Sequence, residues 1–156
     1  VKEKILPQRR RLVHTPPDWV ETGSIFFLTI CCAQRGDNSL AKPDIFEVVV
    51  SATQHTIRAQ KWWMHLLVAM PDHLHAIVSF SQQKPMDALV RDWKRFIAKT
   101  AHVGWQDGFF EHRLRSDESL DEITSYILMN PVRAGITKTP EDWPYCWIPC
   151  NEPAAR

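Results

Sequence analysis

Apolar and polar positions alternate along this chain with two different spacings. Ile25 to Cys32 (IFFLTICC) is a continuous apolar run rich in β-branched and aromatic residues, which predicts a buried strand. The polar stretch from Ala33 to Pro43, with Gly36, Asp37 and Asn38, predicts a loop. Asp44 then opens a helix, with Glu47 as a capping-box-like partner, and Ile45, Val48, Val49 and Ala52 keep helical spacing through about Ala59. Trp62 to Ala69 and Leu74 to Phe80 predict two strands, and the short Met70-Pro71-Asp72 link predicts an antiparallel hairpin. Met86, Leu89, Val90, Trp93 and Ile97 form the apolar stripe of a second helix. Gly108 to Leu114 predicts a short strand. A third helix starts at Ser119, with Glu122 in the capping-box position, and runs to Asn130 or just beyond. Pro131 ends or kinks it, and Gly135 suits a C-terminal cap.

The first six elements follow the order strand, helix, strand, strand, helix, strand. That order predicts an α+β fold, a ferredoxin-like or RRM-like antiparallel sheet with two helices on one face. The third helix is an addition, free to approach the other face or an edge. Residues 1–24 are basic and contain prolines without periodicity, so they predict an N-terminal arm. Residues 25–136 form the main domain, and the Pro/Trp-rich residues 137–156 predict a tail packed on it.

With 156 residues, 44% hydrophobic and 24% charged, one globular domain with a real core is expected. The uncharged stretch Trp62 to Met70 is too short to span a bilayer. No basic segment followed by an apolar one opens the chain, which predicts a cytoplasmic protein. Cys31 and Cys32 are adjacent, and Cys146 and Cys150 are three residues apart, so neither pair matches a zinc knuckle; they read as reduced thiols. The net charge of +1 favours no partner, but its distribution does: Arg9-Arg10-Arg11, Arg91 with Lys94, Arg95 and Lys99, and Arg113 with Arg115 form local clusters able to grip phosphates.

The chemistry centres on AMPDHLHAIVSF. A single histidine on an apolar strand is most simply a hydrogen-bonded core residue. His73 and His75, however, leave the same face of a strand, with Leu74 opposite, and two neutral imidazoles side by side can share a metal ion. The spacing alone leaves both readings open. In SYILMNPVRAG, Tyr126 and Asn130 are one helical turn apart on one face. A tyrosine there is commonly a packing residue, and an asparagine beside Pro131 is commonly a cap. Taken together, the pieces complement one another. The histidine pair could hold Mg²⁺ or Mn²⁺ with Asn130 supplying an oxygen, and the Tyr126 hydroxyl could attack a phosphodiester polarised by that ion. The implied reaction is metal-assisted transesterification of single-stranded nucleic acid.

These segments resemble a known family. MPDHLHAIV is similar to the His-hydrophobic-His motif of the HUH nucleases, and FFEHRLRSDESLDEITSYILMNPVRAGI resembles the tyrosine-helix region of their single-tyrosine transposases. The branch most resembled is the REP-associated tyrosine transposases, over roughly Ile25 to Ile136. The resemblance implies that residues 25–136 are a catalytic domain, a single-stranded DNA endonuclease and transposase. It implies that His73 and His75 are metal ligands, that Asn130 stands at the third ligand position, and that Tyr126 is the nucleophile forming a 5′-phosphotyrosine. It further implies DNA substrates carrying hairpins from repetitive extragenic palindromes, flanked by a short guide tetranucleotide. The expected DNA contacts are Lys94, Arg95, Arg113 and Arg115 on the backbone, Arg133, and the arm residues Arg9, Arg10 and Arg11 on bases or phosphates. A protein of this kind is expected in the bacterial cytoplasm, associated with the nucleoid when on DNA, and as a monomer rather than a dimer.

Two positions depart from the family pattern. Asp72 stands where Asn is common, and could orient a histidine or cap the hairpin. Glu111-His112-Arg113 stands where an Asp-Arg or Asp-His pair is usual, and His112 and His65 read as structural. A different class of function is a non-catalytic module binding single strands on an RRM-like sheet, with Phe26 and Phe27 as stacking platform. That reading gives no reason for His73, His75 and Tyr126 to converge. A two-histidine phosphodiesterase would need paired His-x-Ser/Thr motifs, which His73-Leu74-His75-Ala76 does not supply.

Overall fold

The apolar runs become strands β1 (Ile25–Cys31), β2 (Trp62–Ala69) and β3 (His73–Phe80) in the computed structural model, which describes residues 17–20, 25–81 and 84–149. With β4 (Phe110–Arg113) and β5 (Cys146–Trp147) they form one antiparallel sheet in the order β4-β1-β3-β2-β5. The helices are α1 (Pro43–Arg58), α2 (Met86–Ala101), α3 (Leu120–Leu128) and the single turn α4 (Asn130–Arg133). The strand–helix order and sheet are those of the expected ferredoxin-like α+β fold. The arm residues Arg9, Arg10 and Arg11 lie outside the described residues, as does Cys150.

Alternation along the strands divides the core between the two faces of the sheet. Leu28 and Ile30 of β1, with Leu74, Ala76 and Val78 of β3, pack under Val49 and Ala52 of α1 and Val90, Trp93 and Ile97 of α2. The two helices are also tied by Trp93 Nε1 donating to Thr53 Oγ1, 3.2 Å. On the opposite face, Leu66, Val68 and Ile77 pack against Ile127 of α3 and Trp143 of the tail, flanked by half-buried Ile25 and Phe27. Covered on both sides, β2 is buried at every position. A bulge between Met64 and Leu66 shifts its register, so that Met64 and Leu67 both serve the α1/α2 face. The extra residue, His65, turns instead to Ser79, its Nε2 2.8 Å from Oγ. The tail adds β5 to the free edge of β2, and Trp143 Nε1 donates to Ala69 O, 2.9 Å.

Three local expectations change. α1 starts at Pro43, whose missing N–H and fixed φ suit the first helical position, and no side chain caps it; Asp44 lies in the first turn and forms no capping box with Glu47. The third helix is interrupted: α3 ends at Leu128, and α4 begins after Met129. The cause is Pro131, which has no N–H to give the Ile127 carbonyl. The last strand keeps only Phe110–Arg113 of the expected span, because Gly108 at φ +69° turns the chain just before it. Elsewhere the punctuation acts as read: Ser119 Oγ accepts from Glu122 N, 3.3 Å, and Gly135 closes α4 with φ +72°. Among the described residues no helix is long and apolar enough to cross a membrane.

Candidate active site

His73 and His75 open β3 and, by strand alternation, stand on the face covered by α3, two places before Ile77. Their rings lie 4.7 Å apart between centroids and nearly perpendicular, at 80°. Each is anchored through Nδ1. His73 Nδ1 bonds Asp72 Oδ1 at 2.7 Å, and His75 Nδ1 lies 3.1 Å from Oγ1 of Thr29, its cross-strand partner. With Nδ1–H donating in both, both Nε2 lone pairs remain for a ligand, the usual arrangement behind metal-binding imidazoles. Asp72 is fixed in turn: its Oδ2 accepts from Gly36 N at 2.8 Å and faces Arg35 Nε at 3.4 Å. Burial pulls the Asp72 carboxyl upward, but the Gly36 N–H, the His73 bond and the Arg35 charge outweigh it and hold it below its ordinary range. Burial, then the neighbouring His73 and Arg133, push His75 down to about 3, so it is neutral and available as a ligand at physiological pH. Among the described residues no cluster of three His, Cys, Asp or Glu forms, so an ion held here needs an amide or a substrate oxygen to complete its shell.

α3 is seated by Ile127, fully buried against the sheet. That leaves its neighbour Tyr126 on the flank, 58% exposed. Across the α3–α4 joint, Arg133 spreads over this region. Its Nη2 donates to Tyr126 O and to Asn130 Oδ1, each at 2.7 Å, and its Cζ sits 4.0 Å from the Tyr126 ring centroid. Asn130 Nδ2 is buried without a partner. The Arg133 charge also acts on His75 and helps lower its pKa. Tyr126, Asn130 and Arg133 are thus gathered at one helix end on the histidine face, with the Asn130 oxygen bonded to Arg133.

The chain is 27% identical over 142 residues to a Haemophilus influenzae protein provisionally called a REP-associated tyrosine transposase, a match spanning 79% of this chain and 78% of that one. It is 24% identical over 128 residues to the REP-associated tyrosine transposase of Escherichia coli K12, spanning 79% and 75% of the two chains. The fold matches a solved structure of a REP-associated tyrosine transposase bound to a REP hairpin, with a TM-score of 0.70 and 22% identity over 86% of this chain and 82% of that one. The chain thus resembles REP-associated tyrosine transposases in sequence over most of its length and shares their fold. No protein-family model matches it.

The expected DNA-contacting residues fall in different places. Lys94 and Arg95 are on α2, across the sheet from the histidines. Lys94 is committed to structure: Nζ donates to Gln106 O and Gly108 O, both at 2.8 Å, tying the loop before β4 to the helix, and burial lowers its pKa. Arg95 makes no such bond and lines an open groove of about 370 Å³ with Arg91, Trp105 and Phe109. Arg113 and Arg115 lie on and just beyond the exposed edge strand β4, where His112 pairs with Glu118 at 2.8 Å. The stacking platform expected of a binding-only module is not free. Phe26 packs edge-on to Phe80 under the helices, and Phe27 lies against His75, 5.4 Å between centroids.

Two residues of the site were absent from the sequence reading in these roles. Thr29, a polar residue inside an apolar strand, faces His75, and its polarity at that position was the available signal. The sequence marks Arg133 only as a DNA-binding residue, although positions 126, 130 and 133 share one helical stripe.

Proposed function

We propose that this protein cleaves and rejoins single-stranded DNA at hairpin-forming palindromic repeats through a covalent 5′-phosphotyrosine on Tyr126. The observation that carries the reading is the His73–His75 pair, each ring fixed through Nδ1 with Nε2 left free, on the sheet face crossed by the tyrosine helix. The hairpin substrate is the one named for the related solved structure.

In cleavage, Tyr126 Oη forms a bond to phosphorus as the P–O3′ bond breaks. The phenol loses its proton, the departing 3′ oxygen gains one, and the strand downstream of the cut stays on the protein through its 5′-phosphate. Rejoining is the reverse, with a 3′-hydroxyl displacing Oη, so bond number is conserved and no hydrolysis is needed. His73 and His75, with Asn130 Oδ1 as the third ligand, would hold Mg²⁺ or Mn²⁺, which supplies polarisation of the phosphate and neutralises its developing charge. Asp72 and Thr29 fix the two imidazoles so that both present Nε2. Tyr126 contributes an exposed side chain on an anchored helix, and Arg113 and Arg115 hold the strand near the sheet edge.

The test is a hairpin oligonucleotide incubated with the protein and Mg²⁺ or Mn²⁺, with adducts resolved on denaturing gels. Wild type is expected to form a covalent adduct that disappears in chelator and in the His73→Ala/His75→Ala double variant. Tight binding without an adduct under either metal would refute the assignment in favour of a binding module.

A further inference from the structure

A nucleophile must be held in place, and little holds Tyr126. Its ring is 58% exposed, it takes part in neither core cluster, and among the described residues its hydroxyl has no hydrogen bond and its ring no aromatic partner. A side chain so placed ordinarily hops rotamers within nanoseconds. What lies on it is the guanidinium of Arg133, 4.0 Å from the ring centroid. The same Nη2 donates to Tyr126 O and to Asn130 Oδ1 at 2.7 Å, the short distance of charge-assisted bonds.

The helix break explains why an arginine is placed here. Tyr126 O lies in the last turn of α3, where carbonyls have lost their intrahelical donors and the helix end favours a cation. Pro131 makes the break, and a residue in the following turn is spaced to reach back across it. Arg133 is itself exposed, and folding its long side chain onto this stripe forgoes rotamer freedom. Two charge-assisted bonds and a cation–π contact offset that cost.

We propose that Arg133 is the positioning residue of the tyrosine, its guanidinium holding the Tyr126 ring and the Asn130 amide in one fixed geometry across the α3–α4 joint. This rests on the reading of Tyr126 as nucleophile. Arg133 acts through its two neighbours, so its loss slows the chemical step and leaves hairpin affinity intact. Lysine keeps the charge but not the planar fork, so it does not restore the geometry.

The experiment compares Arg133→Ala, Arg133→Gln and Arg133→Lys with wild type by three readouts. The first uses protein labelled with ¹³C in its tyrosine rings, free of metal and DNA; the chain has only two tyrosines, so two ring signals result. The Tyr126 signal is expected to move toward that of free tyrosine in all three variants, while the Tyr145 signal stays. The second is adduct formation at saturating hairpin and Mn²⁺, expected to slow about 100-fold, the scale of an ångström of misplacement. The third is hairpin affinity, expected to stay within about twofold. Should Arg133→Ala fail to fold, Arg133→Gln, which keeps two amide donors, decides. An unchanged Tyr126 signal with an unchanged adduct rate overturns the proposal. So does a loss of affinity restored by lysine, the behaviour of a phosphate contact. Adducts that persist in Tyr126→Phe overturn the nucleophile reading itself, independently of any Arg133 variant.

Discussion

Two histidines, His65 buried and His75 partly buried, make the stability of this protein depend on pH between about 6.5 and 5. Burial pushes His65 down to about 4 and, with His73 and Arg133, His75 down to about 3, against an ordinary value of 6.5. Between those values the unfolded chain binds protons that the native one refuses, so stability falls as pH falls. The contribution is fully present above about 6.5 and is lost progressively below it. From pH 7.5 to pH 5 the loss is about 2 kcal/mol for each histidine, or about 4 kcal/mol together. That is a large share of the roughly 5–15 kcal/mol by which domains are stable. The Asp72 carboxyl, held below its ordinary range, adds its own loss only at lower pH. Urea unfolding in chelator at pH 7.5 and pH 5 measures the difference. The variant His65→Gln, whose amide can still reach Ser79 but cannot titrate, should halve it. Equal stability at the two pH values would refute the reasoning, as would a His65→Gln variant that leaves the difference unchanged.

Other changes test the site and its support. Asp72→Asn removes the carboxylate that fixes His73 and should weaken Mn²⁺ binding about 10- to 100-fold while the fold is kept, as measured by calorimetric titration. Ile127→Ala removes the side chain that seats α3 and should cost about 2–5 kcal/mol in urea unfolding, with slower adduct formation because Tyr126 rides on that helix.

Most of the fold was legible because periodicity, capping and hairpin signals agreed. The run of apolar residues in β2 reflected burial on both faces, and Ser119 marked its helix start correctly. Two of the three misreadings share a cause, which is proline. Pro43 displaced the start expected at Asp44, and Pro131 split a helix that hydrophobic spacing alone would continue. For the site, the shared face of His73 and His75 follows from strand alternation and was readable. Of their partners, Asp72 was readable as one that could orient a histidine; Thr29, which reaches His75 by strand pairing, and Gly36, which holds Asp72 from a loop, were not, because local pattern does not specify those contacts. Lys94 looked like its neighbour Arg95 in sequence, yet its amine is used to hold the 106–108 loop. Only three-dimensional placement separates a structural cation from a free one.

The most direct measurement is the identity of the bond itself. Wild-type protein reacted with a hairpin oligonucleotide and Mn²⁺, digested and analysed by mass spectrometry, should yield one modified peptide, with a 5′-phosphate linked to Tyr126. Tyr126→Phe should yield none while still binding the hairpin. A linkage on another residue, or an adduct that survives in Tyr126→Phe, would contradict the account.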